Sequence, residues 1–488
     1  MKLNKGMKIN GNIVSKFLVI VLSVGLLVSS AALMGAAQGQ DSVPDTARHI
    51  KTAAELAAIG GVQSAREYYV LDNDINLVDE WVPIEDFMGT FDGQGYSVNN
   101  LYVLESSNRQ YAGLFGQVDS YATVAIKNVG VNINSKGVTA VGSGPEYSYI
   151  SACAGGLLGK GIAVVSNCYA TGDVAAISDY TAYAGGLIGW SVSSLGISRN
   201  IQNCYAAGDV TASGSTAYAG GLIGYSSSAV TYCYAVGDVA SSGSYAAYAG
   251  GLIGNVHRNT NYPVTYCYAS GDVTASSDSA DGSVSAGGLI GDYIGTAANC
   301  YALGDAAVSS FGSGYVGGLV GNGVAATNCY ATGDVTASSL GSKTVYAGCL
   351  FGTENLAYIT RCYYLSSQKV VGDTTNSLGE PLTSAEMKTQ QSFVTWDFDT
   401  VWAINAKVNN GYPTLRGLAV NNPSSSGGSS SGGSSGGTSG GGSSGGSSEG
   451  SSPDGSSLFD NPLVLAGIAL IAIAAVAAVV VVIKKRAR

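Results

Sequence analysis

The sequence predicts an all-β fold, a right-handed parallel β-helix with short helical caps, and three observations predict it. A Gly-Gly-Leu-(apolar)-Gly element recurs at Gly155, Gly185, Gly220, Gly250, Gly287 and Gly317, at spacings of 30 to 37 residues. At such a period no single unit buries its own apolar face, and stacking supplies the core. Shorter versions stand at Ala112-Gly113-Leu114-Phe115-Gly116 and Gly348-Cys349-Leu350-Phe351-Gly352. A second element, Asn167-Cys168-Tyr169-Ala170-Thr171-Gly172-Asp173-Val174, returns at Cys204, Cys233, Cys267, Cys300 and Cys329, and in degenerate form at Cys362. Finally, the repeats show no helical periodicity, only alternation with a period of two.

That alternation assigns the faces. Cys, Ala, Gly and Val share one side of the second element, and Asn, Tyr, the variable fourth residue and Asp share the other. The variable position holds Thr171, Ala207, Val236, Ser270, Leu303 and Thr332, a scatter of sizes that a packed interior does not tolerate. Cys and Val therefore point inward, Tyr and Asp outward. Three residues before each cysteine stands an apolar residue, from Val165 to Ile359, followed by two mostly polar ones. The break in alternation places a corner there, with Asn supplying the turn chemistry. The Gly-Gly pair marks another corner, where backbone angles that other residues resist are expected. Coils stacked at strand spacing rise about 4.8 Å each.

Taken in order, residues 1–37 carry Lys2, Lys5, Lys8 and Lys16, an apolar run and then small residues, the pattern of a secretory signal peptide. Residues 38–103 are read as an N-terminal cap and entry coil, in which Thr52-Ala53-Ala54-Glu55 forms a capping box for a short helix closed by Gly60. The repeat β-helix occupies 104–365. A C-terminal cap follows at 366–418, where Thr383-Ser384-Ala385-Glu386 repeats the capping box and Phe393, Trp396, Phe398 and Trp402 are expected to close the lower end. Residues 419–462 are read as a flexible tether, because from about Asn421 to Ser457 the chain is almost wholly Gly and Ser, a composition that cannot bury enough apolar surface to order itself. Residues 463–483 are 21 uncharged residues, about 32 Å as a helix and enough to span a bilayer core of about 30 Å. Lys484, Lys485, Arg486 and Arg488 fall in the tail 484–488. By the positive-inside rule this predicts a single-pass protein of the cell membrane, with its ectodomain outside and its C-terminus in the cytoplasm.

Both repeat elements together resemble the GLUG-motif repeat of large bacterial and archaeal surface proteins, also found beside the protease domain of some immunoglobulin A peptidases. The resemblance covers roughly residues 50–415. It includes Phe91-Asp92-Gly93-Gln94-Gly95-Tyr96-Ser97-Val98-Asn99-Asn100-Leu101-Tyr102-Val103, which looks like an entry coil, and Trp396-Asp397-Phe398 with Gly411-Tyr412-Pro413, which looks like a closing segment. It implies a surface, adhesin-like role more than any chemistry.

Formal charge is −10. Setting aside the four lysines of the first segment and the four basic residues of the tail leaves 15 bases against 33 acids, about −18 for the exported part. Such a surface repels nucleic acid. Seven of the nine cysteines occupy one inward position in successive coils. Parallel Cα–Cβ vectors at coil spacing keep their sulfurs from an unstrained bridge, so they read as small buried hydrophobes, with a Cys349–Cys362 pair left open. No Cys-x-x-Cys or His-Glu-x-x-His occurs, the one Asn-x-Ser, Asn422-Pro423-Ser424, is excluded as an acceptor by its proline, and the only histidines are His49 and His257. Neither histidine is set for nucleophilic catalysis. Asp173, Asp209, Asp238, Asp272, Asp305 and Asp334 form a uniform row after a glycine, which offers none of the asymmetry a catalytic carboxylate pair needs. No catalytic residue, metal or cofactor is expected.

The candidate ligand-binding residues are aromatic: Tyr169, Tyr205, Tyr234, Tyr268, Tyr301, Tyr330 and Tyr363, expected as an outward file of phenols, with Tyr183, Tyr218, Tyr248, Tyr315 and Tyr346 as a second. Stacked rings stabilise neighbouring coils, and a row of amphipathic rings also suits an extracellular glycan or a surface protein. The leading expectation is a non-enzymatic adhesin. A structural envelope component without ligand and a polysaccharide-active β-helix enzyme are the alternatives. The oligomeric state is not set by the sequence.

Overall fold

A computed structural model of the chain describes residues 43–118, 124–143, 151–192, 200–257, 262–353 and 358–418. The expected signal peptide (1–37), tether (419–462), span (463–483) and tail (484–488) lie outside the described residues. No helix among the described residues is long and apolar enough to cross a membrane.

Those residues build a parallel β-solenoid of about eight turns, nearly all β. One turn consists of Ile223–Ser226, Ala229–Thr231, Tyr234–Val236 and the long bent strand Val239–Gly250. Each pairs in parallel with its counterpart one repeat on, Ile223 with Ile253, Val230 with Val264, Tyr234 with Tyr268 and Val239 with Val273. Equivalent residues therefore stack along the axis. The parity is as read from the alternation: Cys168 to Cys362, Leu157 to Leu319 and Val174, Val210, Val239 and Val273 are all buried in one continuous apolar core. All nine cysteines are free and buried, Cys349 and Cys362 included. Each ladder thiol donates to the carbonyl two residues back, as Cys233 Sγ does to Thr231 O at 3.2 Å, and burial pushes thiols such as Cys168 and Cys362 well above the usual range.

The two corners arise from different causes. Before each cysteine the chain enters the left-handed region, at Asn167 (φ 55°), Asn203 (53°), Asn299 (53°) and Asn328 (53°), where a short amide side chain is tolerated best. The Asn side chains also bond along the axis, Asn203 Nδ2 donating to Asn167 Oδ1 at 3.1 Å. Tyr232, Tyr266 and Arg361 take the same conformation in their coils. The Gly-Gly corner differs from expectation, because neither glycine of the pair has positive φ in the regular coils. Space is the reason: a Cβ on Gly186 would collide with Gly221 O of the next coil.

At the N-terminal end the helix Ala53–Ala57 carries the capping box, Glu55 N–H donating to Thr52 Oγ1 at 3.2 Å and Thr52 N–H donating to Glu55 Oε2 at 3.0 Å. It ends on Ala58 rather than at Gly60, and Leu56 is buried in the core. The C-terminal segment corrects the expectation twice. Its capping box at Thr383 and Glu386 opens only a 3-10 turn, Glu386–Lys388. Its aromatic residues also do not close the end of the solenoid. Met387, Phe393, Trp396, Trp402 and Leu415 pack instead along the flank, onto the first tyrosine file, as a second apolar core.

Candidate functional site

The first tyrosine file follows from the register, which sets Tyr169 beside Tyr205, then Tyr234, Tyr268, Tyr301, Tyr330 and Tyr363. From Tyr169 to Tyr330 the rings stack face to face, with centroids 4.8–5.0 Å apart and planes within 8°. They lie outside the solenoid wall, as the alternation required, but most of them do not face solvent. Tyr234 is 6 % exposed, Tyr268 and Tyr363 1 %, Tyr301 and Tyr330 0 %, because the C-terminal segment covers them. Only Tyr169 and Tyr205 stay half-exposed. The expected seven-ring solvent file is thus a two-ring one.

The covering strap is held by directional bonds as well as by area. Tyr330 OH donates to Pro413 O at 2.6 Å and accepts from Asn409 Nδ2 at 2.7 Å. Tyr363 OH accepts from the Val394 N–H at 3.1 Å, and Trp396 Nε1 donates to Arg361 O at 3.0 Å. A short antiparallel pair, Trp402–Ala403 with Thr414–Leu415, keeps Trp402 against Tyr301 and Tyr330. Val236 and Leu303, the large apolar residues of the variable column, pack against the same core. Burial raises Tyr234 to about 12 and holds Tyr301 and Tyr330 well above the ordinary phenol range.

The aspartate row is structural. Asp209 N–H donates to Asp173 Oδ1 at 3.0 Å, Asp238 N–H to Asp209 Oδ1 at 2.9 Å, and Asp272 N–H to Asp238 Oδ1 at 2.9 Å. Each carboxylate thus fixes the turn of the next coil. No group of three or more His, Cys, Asp or Glu among the described residues is placed to hold a metal. His49 Nδ1 lies 2.7 Å from Asp72 Oδ1 on the exposed entry segment.

The second file is open. Tyr183, Tyr218, Tyr248, Tyr315 and Tyr346 are half-exposed, in register along one ladder that Ser285 interrupts. Beside it runs a row that the alternation argument passed over, the residue after the last glycine of each Gly-Gly-Leu-(apolar)-Gly element: Lys160, Trp190, Tyr225, Asn255, Asp292 and Asn322. Its fixed offset from the motif was the available signal. Trp190 stacks on Tyr183 at 4.7 Å, Tyr225 stands across Tyr218 at 5.2 Å and 88°, and Lys160 Nζ lies 4.8 Å from the Trp190 ring centroid.

No family model and no curated protein matches the chain. Among solved structures it is similar to a proposed immunoglobulin A1 protease from Bacteroides ovatus, at 18 % identity over 76 % of this chain and 92 % of that one, with a TM-score of 0.36. A likeness of that order carries no argument about activity.

Proposed function

We propose that this chain is a non-enzymatic, adhesin-like protein of the cell surface, a right-handed solenoid that presents aromatic rows to an extracellular glycan or surface protein. The right-handed sense rests on the general preference of parallel crossovers. Export and anchoring rest on the charged and apolar segments 1–37 and 463–488, and kinship with GLUG-repeat surface proteins rests on the two repeat elements. The observation that carries the reading is the open second file with its Trp190 and Tyr225 row, half-exposed aromatic surface repeated at coil spacing. Rings with an apolar face and a polar edge are the groups that bind such ligands well.

The test is to incubate the purified ectodomain with a panel of glycans and surface proteins. Binding without product release is the expected result. Product release would overturn the non-enzymatic reading, and silence across the panel would leave a structural envelope component.

A further inference from the structure

We infer that a third corner of the solenoid is a homodimer interface, on which a second copy of this chain lies antiparallel, the two related by a two-fold axis perpendicular to the solenoid. This goes beyond the binding function proposed above and does not depend on it.

The corner is the bend in the long strand of each coil. Register pairs Ile177 with Ser213, Gly214 with Gly243, Gly243 with Ser277, Ser277 with Ser310 and Ser310 with Ser339 on its near side. The turns that follow therefore stack along the axis. Counted from the coil of Tyr180 to that of Leu340, six turns carry in order Asp179-Tyr180, Ser215, Ser244-Tyr245, residues 278–282, Phe311-Gly312 and residues 340–343. Among the described residues from 151 to 353, six large apolar side chains are exposed, and five of them, Ile177, Tyr180, Tyr245, Phe311 and Leu340, stand at this corner, at 37–53 %. The sixth is Tyr232. Apolar surface gathered on one edge marks a contact. The outward column that continues from Ile177 is small, with Ser213, Ser242, Ser276, Ser309 and Ser338 in register, so no bulky side chain there holds a partner away.

Charge identifies the partner and its direction. The described residues from 151 to 353 hold two bases, Lys160 and Lys343. Lys343 is exposed in the sixth turn, Asp179 in the first, and Asp278 and Asp281 in the fourth. An axis between the third and fourth turns sets first against sixth, second against fifth and third against fourth. Asp179 of each copy then meets Lys343 of the other. Phe311 falls on the shortest turn, Ser215 beside Gly214, and the Tyr245 hydroxyl faces carboxylates that can accept a hydrogen bond from it. Each contact occurs twice, as an isologous interface requires. Five coil rises of about 4.8 Å separate the two ion pairs by about 24 Å, with the apolar side chains between them. Parallel packing instead sets Asp179 on Asp179 and Lys343 on Lys343, and moving the axis one coil toward the N-terminus sets Asp179 against Asp278 and Asp281. Like charges oppose both alternatives.

The experiment measures the mass of the purified ectodomain by sedimentation equilibrium across the micromolar range. Mass should rise toward twice that of one chain, and a single-chain mass throughout overturns the proposal. Lys343→Asp or Asp179→Lys alone should weaken the dimer by about tenfold. The two together should restore it, a rescue that damage to the fold cannot produce, and a dimer indifferent to both charges overturns the interface. Direction is read by cross-linking on cells that display the full chain. Asp179→Cys displayed together with Lys343→Cys should give a disulfide-linked pair under mild oxidant, the native cysteines being buried, and Asp179→Cys by itself should give none. Linkage of Asp179→Cys chains to one another overturns the antiparallel alignment.

Discussion

Within one coil a residue's worth is set by which side of the wall it occupies and by what stacks on it in the next coil. Leu222 is fully buried, so Leu222→Ala leaves a cavity and should cost about 2–5 kcal/mol. Asp209 is exposed and accepts one backbone bond from the next coil, which an amide oxygen can also accept, so Asp209→Asn should cost roughly 0.5 kcal/mol or less. Urea titration of the two variants checks the assignment, and equal losses would show the faces reversed. The ladder thiols give a second check. Buried inside the wall, they should react with a thiol reagent only after denaturation, whereas fast labelling of the native protein would place them at the surface.

At the scale of elements, the strap decides what the first tyrosine file does. Trp402 is fully buried and packs on Trp396 with centroids 4.3 Å apart. Trp402→Ala should therefore cost about 3–5 kcal/mol and open Tyr301 and Tyr330 to nitration, while the solenoid's circular dichroism persists. Unchanged nitration would mean that the strap does not depend on this contact. The file also sets an alkaline limit. Tyr234 is raised by burial to about 12, whereas the unfolded phenol titrates near 10. The unfolded state thus loses its proton first as pH rises. The stability this contributes is complete below about pH 10 and is lost progressively from there up to about pH 12. Denaturant midpoints taken across that window should fall, and a flat profile would contradict the burial.

The same element shows what the sequence made legible and what it did not. Period, parity, the Asn corner and the stacking of like residues all follow from a repeat in which each position sees its own kind one coil away. Local alternation was enough to put Tyr301 outside the wall. It could not show that Trp402 returns across the intervening chain to cover Tyr301, or that Asn409 and Pro413 return to cover Tyr330, because no period links them to the repeat. The Gly-Gly pair was legible as a corner, but its cause, close backbone approach between coils, lies in the stack and not in the local chain. The Lys160–Asn322 row has a fixed offset but varied residue types, so only the register revealed it as a continuous line.

At the scale of the whole molecule, a solenoid multiplies any outward feature by its number of coils, and what it can bind depends on which rows remain uncovered. The strap removes most of the first file and leaves the second file with Trp190 and Tyr225 beside it. The most direct test is attachment of cells displaying the full chain, compared between the unaltered protein, Trp190→Ala with Tyr225→Ala, and Tyr169→Ser with Tyr205→Ser. Attachment should fall sharply for the Trp190 and Tyr225 pair and little for the two open rings of the first file, with all three proteins folded and equally displayed. Undiminished attachment by a folded protein lacking Trp190 and Tyr225 would contradict the account.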